Sequence, residues 1–81
     1  MRVRLLFFAI LRDLIGVDER ELVVADGASA GAVWSELVRE FPSLTAFEHA
    51  PLIAVNESYA DPSLALSDGD VVAFIPPVSG G

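Results

Sequence analysis

The sequence LSDGDVVAFI, residues 66–75, decides the predicted fold of this chain. Its first half ends in Asp68-Gly69-Asp70, and acidic residues that flank a glycine are typical turn formers. Its second half, Val71–Ile75, is an unbroken apolar run of the kind that buried central strands show. These residues therefore predict a turn followed by a strand at the centre of a sheet.

Toward residue 1, the sequence predicts an antiparallel hairpin. Residues 3–10 are β-branched and aromatic, and Arg2 and Arg4 alternate with apolar neighbours, which favours a strand with one exposed face. A turn over residues 11–16 follows, closed by a glycine that easily adopts the left-handed conformation. The next strand, residues 20–24, is close enough along the chain to pair with the first.

A single amphipathic helix is predicted between this hairpin and the later strands. Ser29 is a favourable N-cap, and the apolar residues after it follow helical spacing. They form one stripe, which consists of Ala30, Val33, Trp34, Leu37, Val38 and Phe41. Pro42 ends the helix because its ring removes a backbone donor, and residues 43–51 are predicted to form a loop.

The remaining elements complete a mixed sheet. Residues 52–57 predict a short strand and a turn, and Tyr59 lies in a brief extended segment. The order strand, strand, helix, strand, short strand, strand suits an α+β protein whose mixed sheet packs on one main helix, with the first and last strands central and parallel. This is the β-grasp layout of ubiquitin-like proteins. It is expected over residues 1–75, and residues 76–81 would form an extended, flexible tail.

Composition and charge narrow the possible functions. At 81 residues the chain suits one domain with one core. Its formal net charge of −7 opposes nucleic-acid binding and suits a basic protein partner. The longest apolar run, residues 5–11, is too short for a membrane span, and the pattern of a signal peptide is absent. The sequence thus predicts a cytoplasmic protein with no nucleic-acid or membrane partner.

The sequence predicts no metal site and no self-sufficient catalytic centre. The chain has no cysteine, which excludes disulfides, thiolate metal ligands and a cysteine nucleophile. His49 is the only histidine, and without cysteines or clustered carboxylates it makes neither a metal site nor a triad. Asp68 and Asp70 suit a turn better than a pair of metal ligands.

The main functional candidate is the tail Pro76-Pro77-Val78-Ser79-Gly80-Gly81. Its prolines bias the chain toward an extended form that rises about 3.1 Å per residue, so that the tail could project roughly 19 Å. Glycines lack a Cβ, and they can therefore thread a narrow channel and place the terminal carboxylate in a partner's pocket. A terminal Gly-Gly is weak evidence by itself, and it gains weight from the paired prolines and the Asp-Gly-Asp turn.

Together these segments resemble the ubiquitin-like sulfur-carrier family of molybdopterin synthase small subunits. The shared elements are residues 68–81, Phe7-Phe8-Ala9, residues 12–16 and Ala54-Val55-Asn56. The resemblance therefore spans nearly the whole chain. Ile75 departs from the family pattern, since family members often have an aromatic residue at this position, but the contact that it offers is still apolar.

The resemblance implies a chemistry centred on Gly81. An adenylating enzyme would use ATP to convert the Gly81 carboxylate to an acyl-adenylate, and sulfur from a donor enzyme would then replace AMP. In molybdenum cofactor biosynthesis, the resulting thiocarboxylate would attack a pterin precursor inside a complex with the large subunit of molybdopterin synthase. The chain would bind no permanent cofactor and would be a co-substrate rather than a catalyst by itself.

A partner-binding surface is predicted on the face of the sheet that the helix leaves uncovered. Alternate residues of the first strand share the outward direction of its two arginines, so an apolar patch is expected there. From the first strand the patch contains Leu6, Phe8 and Ile10. The family resemblance adds Ile75 to the patch and places Tyr59 and Arg12 nearby. The alternative is that loops cover Phe8 and Ile75, which would make both of them core residues.

Three other functions fit parts of the sequence. A sulfur carrier for thiamine thiazole synthesis has the same tail chemistry, but it is usually shorter and lacks the paired prolines before the glycines. A ubiquitin-like protein modifier would join its C-terminus to target amines. All five basic residues here are arginines, so one copy of this chain offers no lysine to another. A plain interaction module would not need the glycine tail at all.

Overall fold

A computed structural model of the chain describes residues 1–46 and 50–76. The strands are β1 (Arg2–Phe7), β2 (Glu19–Val23), β3 (Leu52–Val55), β4 (Ser58–Tyr59) and β5 (Val71–Ile75). The helices are α1 (Ala9–Ile15), α2 (Ala30–Glu40) and a 3-10 helix (Pro42–Ala46). Within these residues, every helix is too short or too polar to cross a membrane.

The five strands form one mixed sheet in the order β2-β1-β5-β3-β4. Strands β1 and β5 are parallel, and the other neighbouring strands are antiparallel. The apolar run of β5 lies in the middle of the sheet, where Val72 and Phe74 are fully buried. The prediction of an α+β protein with the β-grasp layout, and with central, parallel first and last strands, is confirmed.

Helix α2 packs on one face of the sheet through the predicted apolar stripe. The Ser29 hydroxyl oxygen accepts a hydrogen bond from an amide of the first turn at 3.1 Å and so caps the helix. Val33 and Leu37 are buried, and the ring of Trp34 lies 5.3 Å from the ring of Phe74. Trp34 is partly buried and packs against the core, and these contacts hold α2 against the centre of the sheet.

The first strand is shorter than predicted. Residues 8–10 leave the sheet instead of continuing β1. Ala9 has a φ of +51°, a left-handed conformation that costs a residue with a Cβ roughly 1–2 kcal/mol, and the chain turns there. The prediction that Ile10 belongs to the outer face of the first strand is therefore wrong, because Ile10 lies in α1.

Most of the predicted turn over residues 11–16 belongs to helix α1, which extends from Ala9 to Ile15. Leu11 and Ile15 are about one helical turn apart and both are buried, so burial of this edge stabilises α1. Gly16 ends the helix with a φ of +94°, and its N–H donates a hydrogen bond to the Arg12 carbonyl at 2.8 Å. Gly16 therefore ends a helical segment as predicted, and that segment is longer than the predicted turn.

The first part of the predicted loop over residues 43–51 is helical, because the 3-10 helix extends from Pro42 to Ala46. Leu44 is only 2% exposed and belongs to the hydrophobic core. The Thr45 hydroxyl donates a hydrogen bond to the Pro42 carbonyl at 2.7 Å, which closes the helical turn. Burial of one leucine thus orders a segment in which the sequence shows no periodic pattern. His49 lies outside the described residues.

Candidate functional site

The face of the sheet opposite α2 has an open groove. On this face Ala73, in the middle of β5, lies between Leu6 of β1 and Ala54 of β3. The groove has a volume of about 700 Å³. Its lining residues are Leu6, Phe8, Ala54, Asn56, Glu57, Tyr59, Val71, Ala73 and Ile75. The predicted apolar patch on the uncovered face is present, and its concave shape suits insertion of a partner's side chains.

Phe8 and Ile75 are neighbours in this groove, as predicted. The parallel pairing of β1 and β5 sets Phe7 opposite Phe74, so the following residues of both strands reach the same end of the sheet. Both Phe8 and Ile75 line the groove. Phe8 is 46% exposed, which excludes the alternative that a loop covers it as a core residue. Ile75 is half-buried and still reaches the groove surface.

Of the two other predicted contact residues, only Tyr59 lines the groove. Tyr59 lies in β4 opposite Ala54 and is 76% exposed, so its ring is available to a partner. Arg12 does not line the groove. It lies in α1, where its Nε is 3.8 Å from the carboxylate of Asp13. Its role in partner binding stays a prediction.

Sequence reasoning missed the polar end of the groove. Asn56 and Glu57 form the β3–β4 turn with φ values of +51° and +72°. The Asn56 side-chain amide donates a hydrogen bond to Asp70 Oδ1 at 2.9 Å, and its Oδ1 accepts one from the Val71 N–H at 3.0 Å. The other oxygen of Asp70 accepts from the Ser67 amide at 2.8 Å. Asn56 thus fixes the turn to the start of β5. The one available signal was the preference of asparagine for left-handed turn positions.

Replacing Asn56 with alanine is expected to lower the free energy of unfolding by about 1–2 kcal/mol. The change removes two hydrogen bonds and places alanine in a left-handed conformation. Chemical denaturation measures the effect. Glu57→Ala is the matched control, since Glu57 has the same backbone conformation and its side chain forms no hydrogen bond within the described chain. Equal losses for the two variants would show that the Asn56 hydrogen bonds do not determine the effect.

Charged groups border the groove rather than fill it. Glu57 is the one charged residue among the lining residues. Arg4 lies on the same face of β1, and its Nε is 3.3 Å from the Glu19 carboxylate in an exposed ion pair of small energetic value. Binding here would therefore depend mainly on burial of apolar surface. Across residues 1–46 and 50–76, no three histidine or acidic side chains come together as metal ligands would.

Strand β5 leads from the centre of the sheet to the tail. Its last residue, Ile75, lines the groove, and Pro76 follows directly. The first residue of the predicted tail therefore follows directly after a residue of the groove. The predicted site residues Pro77, Val78, Ser79, Gly80 and Gly81 lie outside the described residues.

Relatives of known name match the chain over its whole length. The molybdopterin synthase sulfur carrier subunit of Aedes aegypti is 40% identical, and the match covers 100% of this chain and 90% of the relative. The subunit of the same name from Chlamydomonas reinhardtii is 36% identical, with both chains covered completely. That of Escherichia coli (strain K12) is 37% identical, with 98% of this chain and 99% of the relative covered.

Solved structures and a family model agree with these relatives. SAMP1, small archaeal modifier protein 1 of Haloferax volcanii, matches with a TM-score of 0.84 and 27% identity, with both chains covered completely. The putative molybdopterin converting factor, subunit 1, of Pyrococcus furiosus matches with a TM-score of 0.83 and 32% identity, with coverage of 96% of this chain and 99% of that one. A chain in the complex of subunits 1 and 2 of the molybdopterin-converting factor of Helicobacter pylori matches with a TM-score of 0.67 and 26% identity, again with complete coverage. The model of the ThiS family matches residues 5–81, and the chain therefore belongs to the ThiS family.

Proposed function

We propose that this chain is a sulfur carrier in molybdenum cofactor biosynthesis and the small subunit of a molybdopterin synthase. The observation that carries this proposal is the end-to-end match to sulfur carrier subunits of that synthase, at 36–40% identity in three relatives. The family match continues to residue 81, so it includes the Gly80-Gly81 end on which such chemistry would depend.

The proposed chemistry begins with activation of the terminal carboxylate. An oxygen of the Gly81 carboxylate attacks the α-phosphorus of ATP on an adenylating enzyme, which releases pyrophosphate and leaves an acyl-adenylate. A sulfide-level sulfur from a donor enzyme then attacks the carbonyl carbon, and AMP leaves. The product is a terminal thiocarboxylate. The sulfur must come from outside because this chain has no cysteine.

The thiocarboxylate sulfur then acts as the nucleophile toward the pterin precursor, where it forms a carbon–sulfur bond in place of an oxygen leaving group. Water then cleaves the bond between the sulfur and the Gly81 carbonyl carbon, which leaves the sulfur on the precursor and restores the Gly81 carboxylate. The large subunit would supply the pocket and the acid-base groups, because this chain has no lysine or cysteine and only one histidine. The chain is thus a co-substrate, and it needs no bound cofactor of its own. We expect it to work in the cytoplasm, where the ATP for its activation is available.

The groove on the uncovered face is the proposed docking surface for the large subunit and the adenylating enzyme. The Helicobacter pylori complex supports a partner of the first kind. Phe8, Ile75 and Tyr59 would be buried by the partner, and Arg12 would contact it from α1. The net charge of −7 would favour approach to basic surfaces.

Intact mass spectrometry tests this proposal. Incubation with the cognate adenylating enzyme, ATP and a sulfur donor is expected to raise the mass by the difference between one sulfur and one oxygen. Fragmentation should assign the gain to Gly81. The product should convert the pterin precursor only after the large subunit is added. A mass gain on an internal residue, or turnover by this chain without the large subunit, would contradict the mechanism.

A second candidate is a ubiquitin-like protein modifier. The observation that favours it is the similarity to SAMP1 of Haloferax volcanii, a small archaeal modifier protein. The same activated Gly81 would then be attacked by a target amine instead of sulfur. Isopeptide conjugates of the chain in a cell lysate would support this role. The thiamine thiazole carrier would be separated by exchange of the activating enzyme in vitro.

A further inference from the structure

The β2 edge of the sheet has backbone groups that no described strand covers. Strand β2 is the outermost strand on the side away from the groove, which extends toward β3 and β4. Just beyond its end, Val24 exchanges two hydrogen bonds with Met1, each of 2.8 Å. Bonded and non-bonded pairs alternate in an antiparallel ladder, so the N–H and C=O groups of Glu19, Glu21 and Val23 point away from β1. Such an edge can accept another strand.

A second groove lies at the Val23 end of this edge, between the last residues of β2 and α2. It has a volume of about 560 Å³. Its lining residues are Leu22, Val23, Val24, Ala25, Ala32, Glu36, Leu37, Arg39 and Glu40. An ion pair of 2.7 Å joins Arg20 of β2 to Glu40, the last residue of α2. A strand added at this edge would therefore place alternate side chains over a partly apolar groove floor.

The other face of an added strand would meet negative charge. Glu19 and Glu21 lie on the outer face of β2, and both are exposed. Glu19 is paired with Arg4 at 3.3 Å, whereas Glu21 has no ion-pair partner in residues 1–46 and 50–76. A lysine or arginine opposite these positions would gain a cross-strand partner. A second copy of β2 is a poor occupant, because it would bring the same carboxylates together.

We propose that the β2 edge binds an extended segment of a partner protein in which lysine or arginine alternates with apolar residues. The segment would pair with the outward backbone groups of Glu19, Glu21 and Val23. Its apolar side chains would lie over the β2–α2 groove, and its basic side chains would lie beside Glu19 and Glu21. This surface is on the opposite side of the sheet from the β3–β4 end of the first groove, and its use does not depend on the chemistry of Gly81.

Amide hydrogen exchange on the full chain tests the proposal. The probe is a short synthetic peptide in which lysine and valine alternate. Saturating peptide is expected to slow exchange of the Glu19, Glu21 and Val23 amides by about tenfold or more, because these groups become part of a ladder. A peptide of the same composition, with all lysines at one end and all valines at the other, should give no such protection. Methylation of the alternating peptide's backbone nitrogens on its pairing edge should abolish binding without any change in the protein.

Charge variants test the chemistry of the partner. The double variant Glu19→Gln, Glu21→Gln is expected to weaken peptide binding on the order of tenfold. Asp13→Asn, which removes a charge from α1 outside this groove, should change the affinity less than about twofold. Equal binding of the segregated peptide or of the methylated peptide would overturn the proposal. Protection of the same amides by self-association at high protein concentration would also overturn it. The absence of any protection would overturn it as well, and the two glutamates would then serve only to prevent the edge from pairing with other strands.

Discussion

Removal of Gly81 is expected to abolish formation of the terminal thiocarboxylate and to change the free energy of unfolding by less than about 0.5 kcal/mol. The truncated chain would end at Gly80, and its carboxylate would fall short of the reactive position by about 3.3 Å, the length of one extended residue. The buried core of the described residues runs from Val3 to Phe74, so no described core residue belongs to the tail. Intact mass after the activation reaction measures the first effect, and chemical denaturation measures the second.

Ser35→Ala is a suitable control for the truncation. Ser35 is exposed on α2 and lines neither groove, so this variant should be activated as fast as the parent chain. A truncated chain that still acquires sulfur at full rate would contradict the carrier role of Gly81. A truncated chain that loses stability would show that the tail contributes to the folded domain.

The parts of the fold that were predictable are those with local, periodic signals. Helix α2 follows from Ser29, the apolar stripe and Pro42, all of which act within a few residues of one another. Strand β5 was predicted from its unbroken apolar run. Only the face toward α2 is fully buried; Val71, Ala73 and Ile75 are half-buried and line the open groove, so the apolar residues on the other face form the proposed docking surface. The outward direction of Phe8 followed from the parity of β1, although the strand ends one residue before it.

The parts that were not predictable depend on contacts between distant residues. Residues 5–11 form one apolar run, and nothing in it marks where β1 ends and α1 begins; the left-handed Ala9 has no sequence signal. Leu44 orders the 3-10 helix because the core has room for it, which only the assembled core decides. Asn56 and Asp70 are 14 residues apart, so their hydrogen bond could not be read from either turn alone.

Phe8→Lys and Ile75→Lys are expected to weaken binding of the large subunit by about 30-fold or more, with much smaller effects on folding. In the free protein both side chains reach the surface of an open groove, so a lysine there can keep its ammonium group hydrated. In the complex the same charge would be removed from water. The one carboxylate among the groove's lining residues is that of Glu57, which lies at the opposite, polar end of the groove and so would not pair with the new lysine. Titration calorimetry with the purified large subunit measures the affinity, and thermal unfolding measures the stability.

Val17→Lys is the control that distinguishes the effect of adding a positive charge anywhere on the protein from the effect of adding it in the groove. Val17 and Phe8 are both apolar and both 46% exposed, and Val17 does not line the groove. The control variant adds the same positive charge, so it should bind the large subunit with nearly the affinity of the parent chain. Equal weakening by Val17→Lys and Phe8→Lys would mean that net charge, and not the groove, governs association. A collapse of thermal stability in Phe8→Lys would instead mean that Phe8 supports the turn between β1 and α1 more than it supports binding. If neither happens and only the groove variants lose affinity, the uncovered face of the sheet is the docking surface from which the tail reaches its partner.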